Sequence, residues 1–271
     1  MIRRRGFIGS ILGGTGACFL GVKRSNAKAS ALSPPPRAVS TGFTKLIFDE
    51  EFDRTPDIGF GTDGHKWNAG LWWEEIPSAD AFSVSDSILT IAAGTNPDVN
   101  LCTQYHDASG GTQFLGGYFE ARMSCTDWSA FWLFCWDRAT VYGDKVLPSN
   151  PLTWTNEIDI VETDGGSPNS VWCTLHRNSS ADSLPDEQNY PAQINLNTSA
   201  IGAWHVYGLL WTQQSVTWFV DDIPVLSVPP YASTWQPVQL VLTAAPGGVN
   251  GSMSQTVPPI TQIDWVRVWH Q

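Results

Sequence analysis

The chain reads as an all-β sandwich or barrel, on three observations. Short runs rich in Val, Ile, Thr, Phe and Trp recur along it. Clusters of Gly, Pro, Asn and Asp separate them, and no stretch carries a long helical period. Candidate strands, in chain order, are Leu46–Phe52, Ala81–Val84, Ile88–Ala93, Leu115–Met123, Ser129–Trp136, Asn156–Glu162, Val171–His176, Trp204–Trp211, Ser215–Val220, Val238–Thr243 and Ile263–Trp269. Such punctuation at short intervals is what an all-β chain shows. A single domain over residues 43–271 is expected, since no second composition break, internal repeat or heptad follows residue 42.

The first 29 residues read as an export signal. Arg3-Arg4-Arg5 precede an apolar run from Phe7 to Leu20, and Ala27-Lys28-Ala29 supplies a small-x-small cleavage site. Arg4-Arg5-Gly6-Phe7-Ile8 suggests the twin-arginine type. The apolar run is shorter than the roughly 20 residues of a membrane span, so cleavage and release to the periplasm or exterior are expected, with no stable membrane association afterwards. Residues 30–42, with Pro34-Pro35-Pro36, look like a flexible linker.

Without residues 1–29 the chain carries nine Lys+Arg against 26 Asp+Glu, a formal charge of −17. That charge argues against nucleic acid and anionic membranes as partners. It favours a neutral or weakly charged substrate by the same logic. Cys102, Cys125, Cys135 and Cys173 match no zinc spacing, and disulfides and buried thiols both remain open. Fourteen tryptophans exceed what one core of this size hides comfortably. Some should lie in a groove, where flat aromatic faces stack on sugar rings, although packing of the sandwich accounts for any one of them.

The most informative stretch is Asn156-Glu157-Ile158-Asp159-Ile160-Val161-Glu162. Period-two counting puts Glu157 and Asp159 on one face, with Ile158 and Ile160 on the other. It would leave Glu162 among the isoleucines, which is costly for a carboxylate. One extra residue, a β-bulge near Ile160-Val161, returns Glu162 to the acidic face. Three acids on one strand face repel one another unless a proton or a ligand is shared. Glycoside hydrolysis uses such a set: one carboxylate attacks the anomeric carbon and a second, protonated one releases the leaving oxygen. A calcium site and a solvated acidic face are alternatives that the residue types leave open.

These residues resemble a known family. Glu-Ile-Asp-Ile-Val-Glu is similar to the active-site motif of glycoside hydrolase family 16, in the bulged form of its laminarinase branch. Phe48-Asp-Glu-Glu-Phe52, Gly117–Met123 with Trp128–Leu133, Trp204–Trp211 with Val216–Asp221, and Ile263–Trp269 resemble further family strands in the family's order. The resemblance implies a jelly-roll sandwich of two antiparallel sheets with a concave cleft. It also implies retaining, endo-acting hydrolysis of a β-linked polysaccharide, a β-1,3- or mixed-linkage glucan foremost. A transglycosylase or a non-catalytic lectin-like protein on the same fold are the alternatives. Carried over, Glu157 matches the nucleophile, Asp159 the assisting acid and Glu162 the general acid/base.

For substrate binding the resemblance points to Glu120 and Arg122, expected to face the cleft, to Trp132 and Trp136 as stacking aromatics, and to His176 beside the acid/base. It implies no cofactor for catalysis. A structural calcium is implied at Asp264 and the backbone near Glu50. The expected protein is a monomer whose partner is its polysaccharide. Two departures concern the subsites: Thr243-Ala244-Ala245 replaces an Asn and Trp pair of some members, and Thr155 stands where the lichenase branch has Trp.

Overall fold

The computed structural model describes residues 32–72, 74–94, 98–106, 110–135, 154–179, 187–231, 235–246 and 259–271. The part from Ser33 onward is one compact unit. A five-residue helix, Pro36–Ser40, opens it, with Ala38 buried and the Phe43 amide donating to the Ala38 carbonyl. This ordered turn corrects the expectation of a flexible linker for that part of 30–42. Proline at the first helical position, where an N–H would have no partner, starts the turn.

Among the described residues sixteen strands follow: β1 (Lys45–Glu50), β2 (Ile58–Gly59), β3 (Trp67–Ala69), β4 (Phe82–Ser85), β5 (Ile88–Ala92), β6 (Val99–Cys102), β7 (Gly117–Cys125) and β8 (Trp128–Phe134) in the first half. The second half supplies β9 (Trp154–Thr163), β10 (Ser170–Ser179), β11 (Glu187–Asn195), β12 (His205–Trp211), β13 (Val216–Val220), β14 (Ile223–Val228), β15 (Gln239–Ala245) and β16 (Ile260–His270). They form a jelly-roll sandwich of two eight-stranded sheets. One sheet runs β14-β13-β12-β7-β16-β5-β4, with β1 also on β16; the other runs β11-β10-β9-β8-β15-β6-β3-β2. Pairing is antiparallel except for the short β2–β3 contact. Two-residue turns at Asp86-Ser87 and Asp221-Asp222, all four residues at positive φ, close the β4–β5 and β13–β14 hairpins, the twist-matched geometry that short hairpins favour.

The core lies between the sheets. Phe131, Leu133, Ile158, Ile160, Val161, Leu240 and Leu242 come from one side and meet Phe119, Ala121, Met123, Leu209, Trp218, Val266 and Val268 from the other. Each such side chain contributes about 1.5–3 kcal/mol by leaving water, which is what fixes the register of every strand. The outer face of the second sheet is therefore free to carry polar chemistry. The four cysteines named above are buried free thiols.

The same alternation places two residues away from the cleft. Phe119, Ala121 and Met123 face the core from β7, so Glu120 and Arg122 point outward from the opposite sheet, where β7 pairs with β12 and β16. Glu120 accepts from the Trp269 indole at 3.3 Å. Arg122 pairs with Asp264 at 2.7 Å and lies over the Trp204 ring. The expectation that both face substrate is corrected: alternation was right, but the strand belongs to the other sheet.

Asp264 and the Glu50 region, where a calcium was implied, are engaged by cations of the chain. Asp264 sits at a bulge in β16 between Ile263 and Trp265, which turns it onto Arg122. Glu50 accepts from the Trp67 indole at 3.2 Å and pairs with Lys66 at 3.1 Å. The Lys66 ammonium also donates to the Asp49 carbonyl. A guanidinium and an ammonium already occupy these oxygens, so the donors do not fit a calcium cage.

Candidate active site

The catalytic candidates sit on β9, third from the edge of its sheet. Its register against β8 pairs Glu157 with Phe134 and Asp159 with Trp132, then slips so that Val161 meets Phe131 and Glu162 meets Ala130. Two residues of β9 advance against one of β8, so Ile160 is the extra residue of a bulge. Against β10 the same slip falls between Thr174 and Trp172. Ile158, Ile160 and Val161 are all buried in the core, leaving Glu157, Asp159 and Glu162 on the cleft side. Two core groups cap the bulge carbonyls: the Trp218 indole donates to the Asp159 carbonyl at 2.7 Å, and the Cys173 thiol to that of Ile160 at 3.5 Å.

The three carboxyls line a single cleft pocket of about 260 Å³. One carboxyl oxygen each of Glu157 and Asp159 and a ring nitrogen of His176 lie within 4.8 Å of one another. His176 Nε2 is 2.8 Å from Asp159 Oδ2, where the imidazole donates to the carboxylate. The Trp128 indole donates to Glu162 Oε1 at 3.3 Å. Burial is the largest influence on Glu162 and the Asp159 charge the second; together they push its pKa up to about 8, while His176 and Trp128 pull it down and Glu157 adds the smallest push. A carboxyl in this setting keeps its proton at neutral pH. The trio Glu157, Asp159 and His176 has the reach to close on a small cation as well, but Glu162, protonated beside them, is suited to donating a proton rather than ligating a metal.

Trp132 lines the same pocket from β8, its indole donating to Thr243 Oγ1 at 2.9 Å. Trp136 lies outside the described residues, and so do the side-chain surroundings of Thr155. Several lining residues were not singled out by sequence reasoning: Trp128, two steps of alternation before Trp132, and Glu74, Asp98 and Asn100 on the far flank. Trp128 was readable, because it shares the period-two face of Ala130 and Trp132. The others come from a loop and from β6, which have no periodic signal.

Comparison with known proteins shows what the chain as a whole is similar to. The family model described as glycosyl hydrolases family 16 matches residues 100–267, more than half of the chain. The endo-1,3-1,4-beta-glycanase EglC of Rhizobium meliloti is 29% identical over 77% of this chain and 44% of its own. The endo-1,3-1,4-beta-glycanase ExsH of the same organism is 26% identical over 76% of this chain and 47% of its own, so the chain spans about half the length of these two relatives. A beta-glucanase of Rhodothermus marinus is 27% identical over 99% of this chain and 95% of its own. Among solved structures, LamAcat from Zobellia galactanivorans superposes with a TM-score of 0.63 at 22% identity, over 85% of this chain and 99% of that one, a likeness of fold. With the bulged carboxylate strand, the sandwich and the sequence model all in agreement, the chain belongs to glycosyl hydrolases family 16.

Proposed function

We propose that this protein is a retaining, endo-acting glycoside hydrolase that cuts a β-1,3- or mixed-linkage β-glucan. The observation that carries the proposal is the pocket into which one bulged strand presents Glu157, Asp159 and Glu162 together; burial there raises the Glu162 pKa to about 8. Relatives named as endo-1,3-1,4-beta-glycanases and a beta-glucanase support the substrate class.

In the first step the Glu157 carboxylate attacks the anomeric carbon as Glu162 passes its proton to the departing glycosidic oxygen. A glycosyl ester on Glu157 and a free aglycone result. In the second step the Glu162 carboxylate takes a proton from water, the hydroxide oxygen attacks the anomeric carbon, and Glu157 is released. Esterification of Glu157 removes a negative charge that raises the Glu162 pKa, so the proton affinity of Glu162 falls in the step in which it must act as a base. Asp159, held by His176, keeps a negative charge close to the developing oxocarbenium ion. The supply of such a polymer outside the cell fits the export signal in residues 1–29.

Replacing Glu157 by Gln is the direct test. Turnover of laminarin and lichenan should vanish while oligosaccharide binding stays measurable by calorimetry. Hydrolysis by that variant at the wild-type rate would end the assignment.

A further inference from the structure

One flank of the cleft has a chemistry that the catalytic steps do not use. Trp132 Nε1 can only donate, and it donates to Thr243 Oγ1. The Thr243 hydroxyl must then pass its own hydrogen to Asn100 Oδ1, at 2.5 Å. That fixes the Asn100 amide with Nδ2 toward Glu74 Oε2, at 2.9 Å. The Leu71 amide donates to the same oxygen at 3.1 Å. The relay has one polarity from end to end, since a donor-only indole begins it and an acceptor-only carboxylate ends it. Among the described residues Oε2 takes both donors and Oε1 takes none, so Oε1 is left to accept from something in the pocket.

That pocket is the one holding the catalytic carboxyls, so a sugar at the scissile bond places its neighbour against this flank. Asp98 lines the same space, and among the described residues no Lys or Arg lines it. Hydroxyl groups satisfy a carboxylate oxygen well, whereas a carboxylate or sulfate substituent meets only acceptors of its own sign.

Building on the activity proposed above, we infer that Glu74, held by the Trp132–Thr243–Asn100 relay, is a specificity-determining residue whose carboxylate binds hydroxyls of an uncharged hexosyl unit and excludes units bearing carboxylate or sulfate. Thr243, a departure from the Asn of some members, is what lets the relay run. The net negative charge of the chain acts in the same direction but is screened beyond about 8 Å at physiological salt; Glu74 and Asp98 act at contact.

Binding separates this inference from catalysis. In the Glu157→Gln background, calorimetry with a neutral β-1,3-glucan hexasaccharide and with its carboxymethylated counterpart should show binding of the neutral ligand and little of the charged one. Adding Glu74→Gln should weaken the neutral ligand about ten- to a hundredfold, the range for loss of a charge-assisted hydrogen bond, and narrow the preference by tenfold or more. Thr243→Val, which breaks the relay without altering the Glu74 side chain, should weaken the neutral ligand but keep the charged one excluded. Equal affinity and equal preference with and without Glu74→Gln would overturn the inference, as would failure of the neutral ligand to bind either protein. Hydrolysis persisting in Glu157→Gln would instead overturn the catalytic assignment alone.

Discussion

The bulge that brings Glu162 beside Glu157 is held from behind, and cutting that hold should change chemistry as well as stability. Trp218 is fully buried on β13, in the opposite sheet, and its indole N–H reaches across the core to the Asp159 carbonyl at 2.7 Å. Trp218→Phe keeps an aromatic ring but removes the donor. A buried carbonyl losing its partner costs about 1–3 kcal/mol, and the smaller ring adds roughly 1 kcal/mol for unfilled space. For a domain of this size roughly 2–4 °C of Tm per kcal/mol is expected, so the melting point should fall by about 5–15 °C. The decisive effect is on Glu162. With the Asp159 carbonyl at the bulge no longer pinned, the Glu162 carboxyl gains water and loses its distance to the anomeric carbon. A displacement near 1 Å costs on the order of a hundredfold in kcat, with KM little changed. Better solvation also lowers the Glu162 pKa from about 8, so the alkaline limb of the kcat/KM profile should move to lower pH. Leu209→Ala, a core truncation on β12 of similar expected cost, serves as the control and should lower Tm without moving that limb. If Trp218→Phe and Leu209→Ala behave alike, with kcat and the limb intact in both, the cap on the bulge has no catalytic role.

Four other outcomes are expected. The wild-type kcat/KM should fall tenfold per pH unit above about 8, as Glu162 loses the proton it must donate, and Glu162→Ala should recover part of its turnover with azide, which attacks the glycosyl ester without a base. Burial raises the Glu120 pKa to about 7; a carboxyl raised in the folded state stabilises below its unfolded value near 4.5 and loses that contribution as pH rises through 7. Glu120→Gln should therefore leave chemical denaturation unchanged at pH 4, raise stability by ~2–3 kcal/mol at pH 8, and spare activity, whereas reduced activity would return Glu120 to the cleft. Asp264→Asn should cost about 1–3 kcal/mol in urea unfolding, because it strands the half-buried Arg122 cation.

What could be read from residues alone follows the physics of one strand at a time. The bulge at Ile160 was readable because a glutamate among isoleucines is too costly to accept, so the register had to slip. Strands with clean alternation were readable for the same reason. β6, β11 and β14 were not. β6 is four residues with Asn100 and Cys102 on one face; β11 carries Pro191 and β14 carries Pro224, and edge strands tolerate proline because one side of the ladder needs no donor. Glu120 and Arg122 mark the limit from the other direction. Period two says which side chains share a face, but an outward face looks the same in sequence whether it lines the cleft or the convex back of the sandwich. Only pairing across the chain decides, as β7 on β12 and β16 decides it here. The Glu74 flank lies beyond any local pattern, since its relay joins a loop, β6, β8 and β15 through Thr243, which pairs with Asn100 143 residues earlier in the chain. Catalytic carboxyls that must sit close together tend to share a strand and so announce themselves. Residues that choose the substrate need only share a cleft, and the fold gathers them from anywhere.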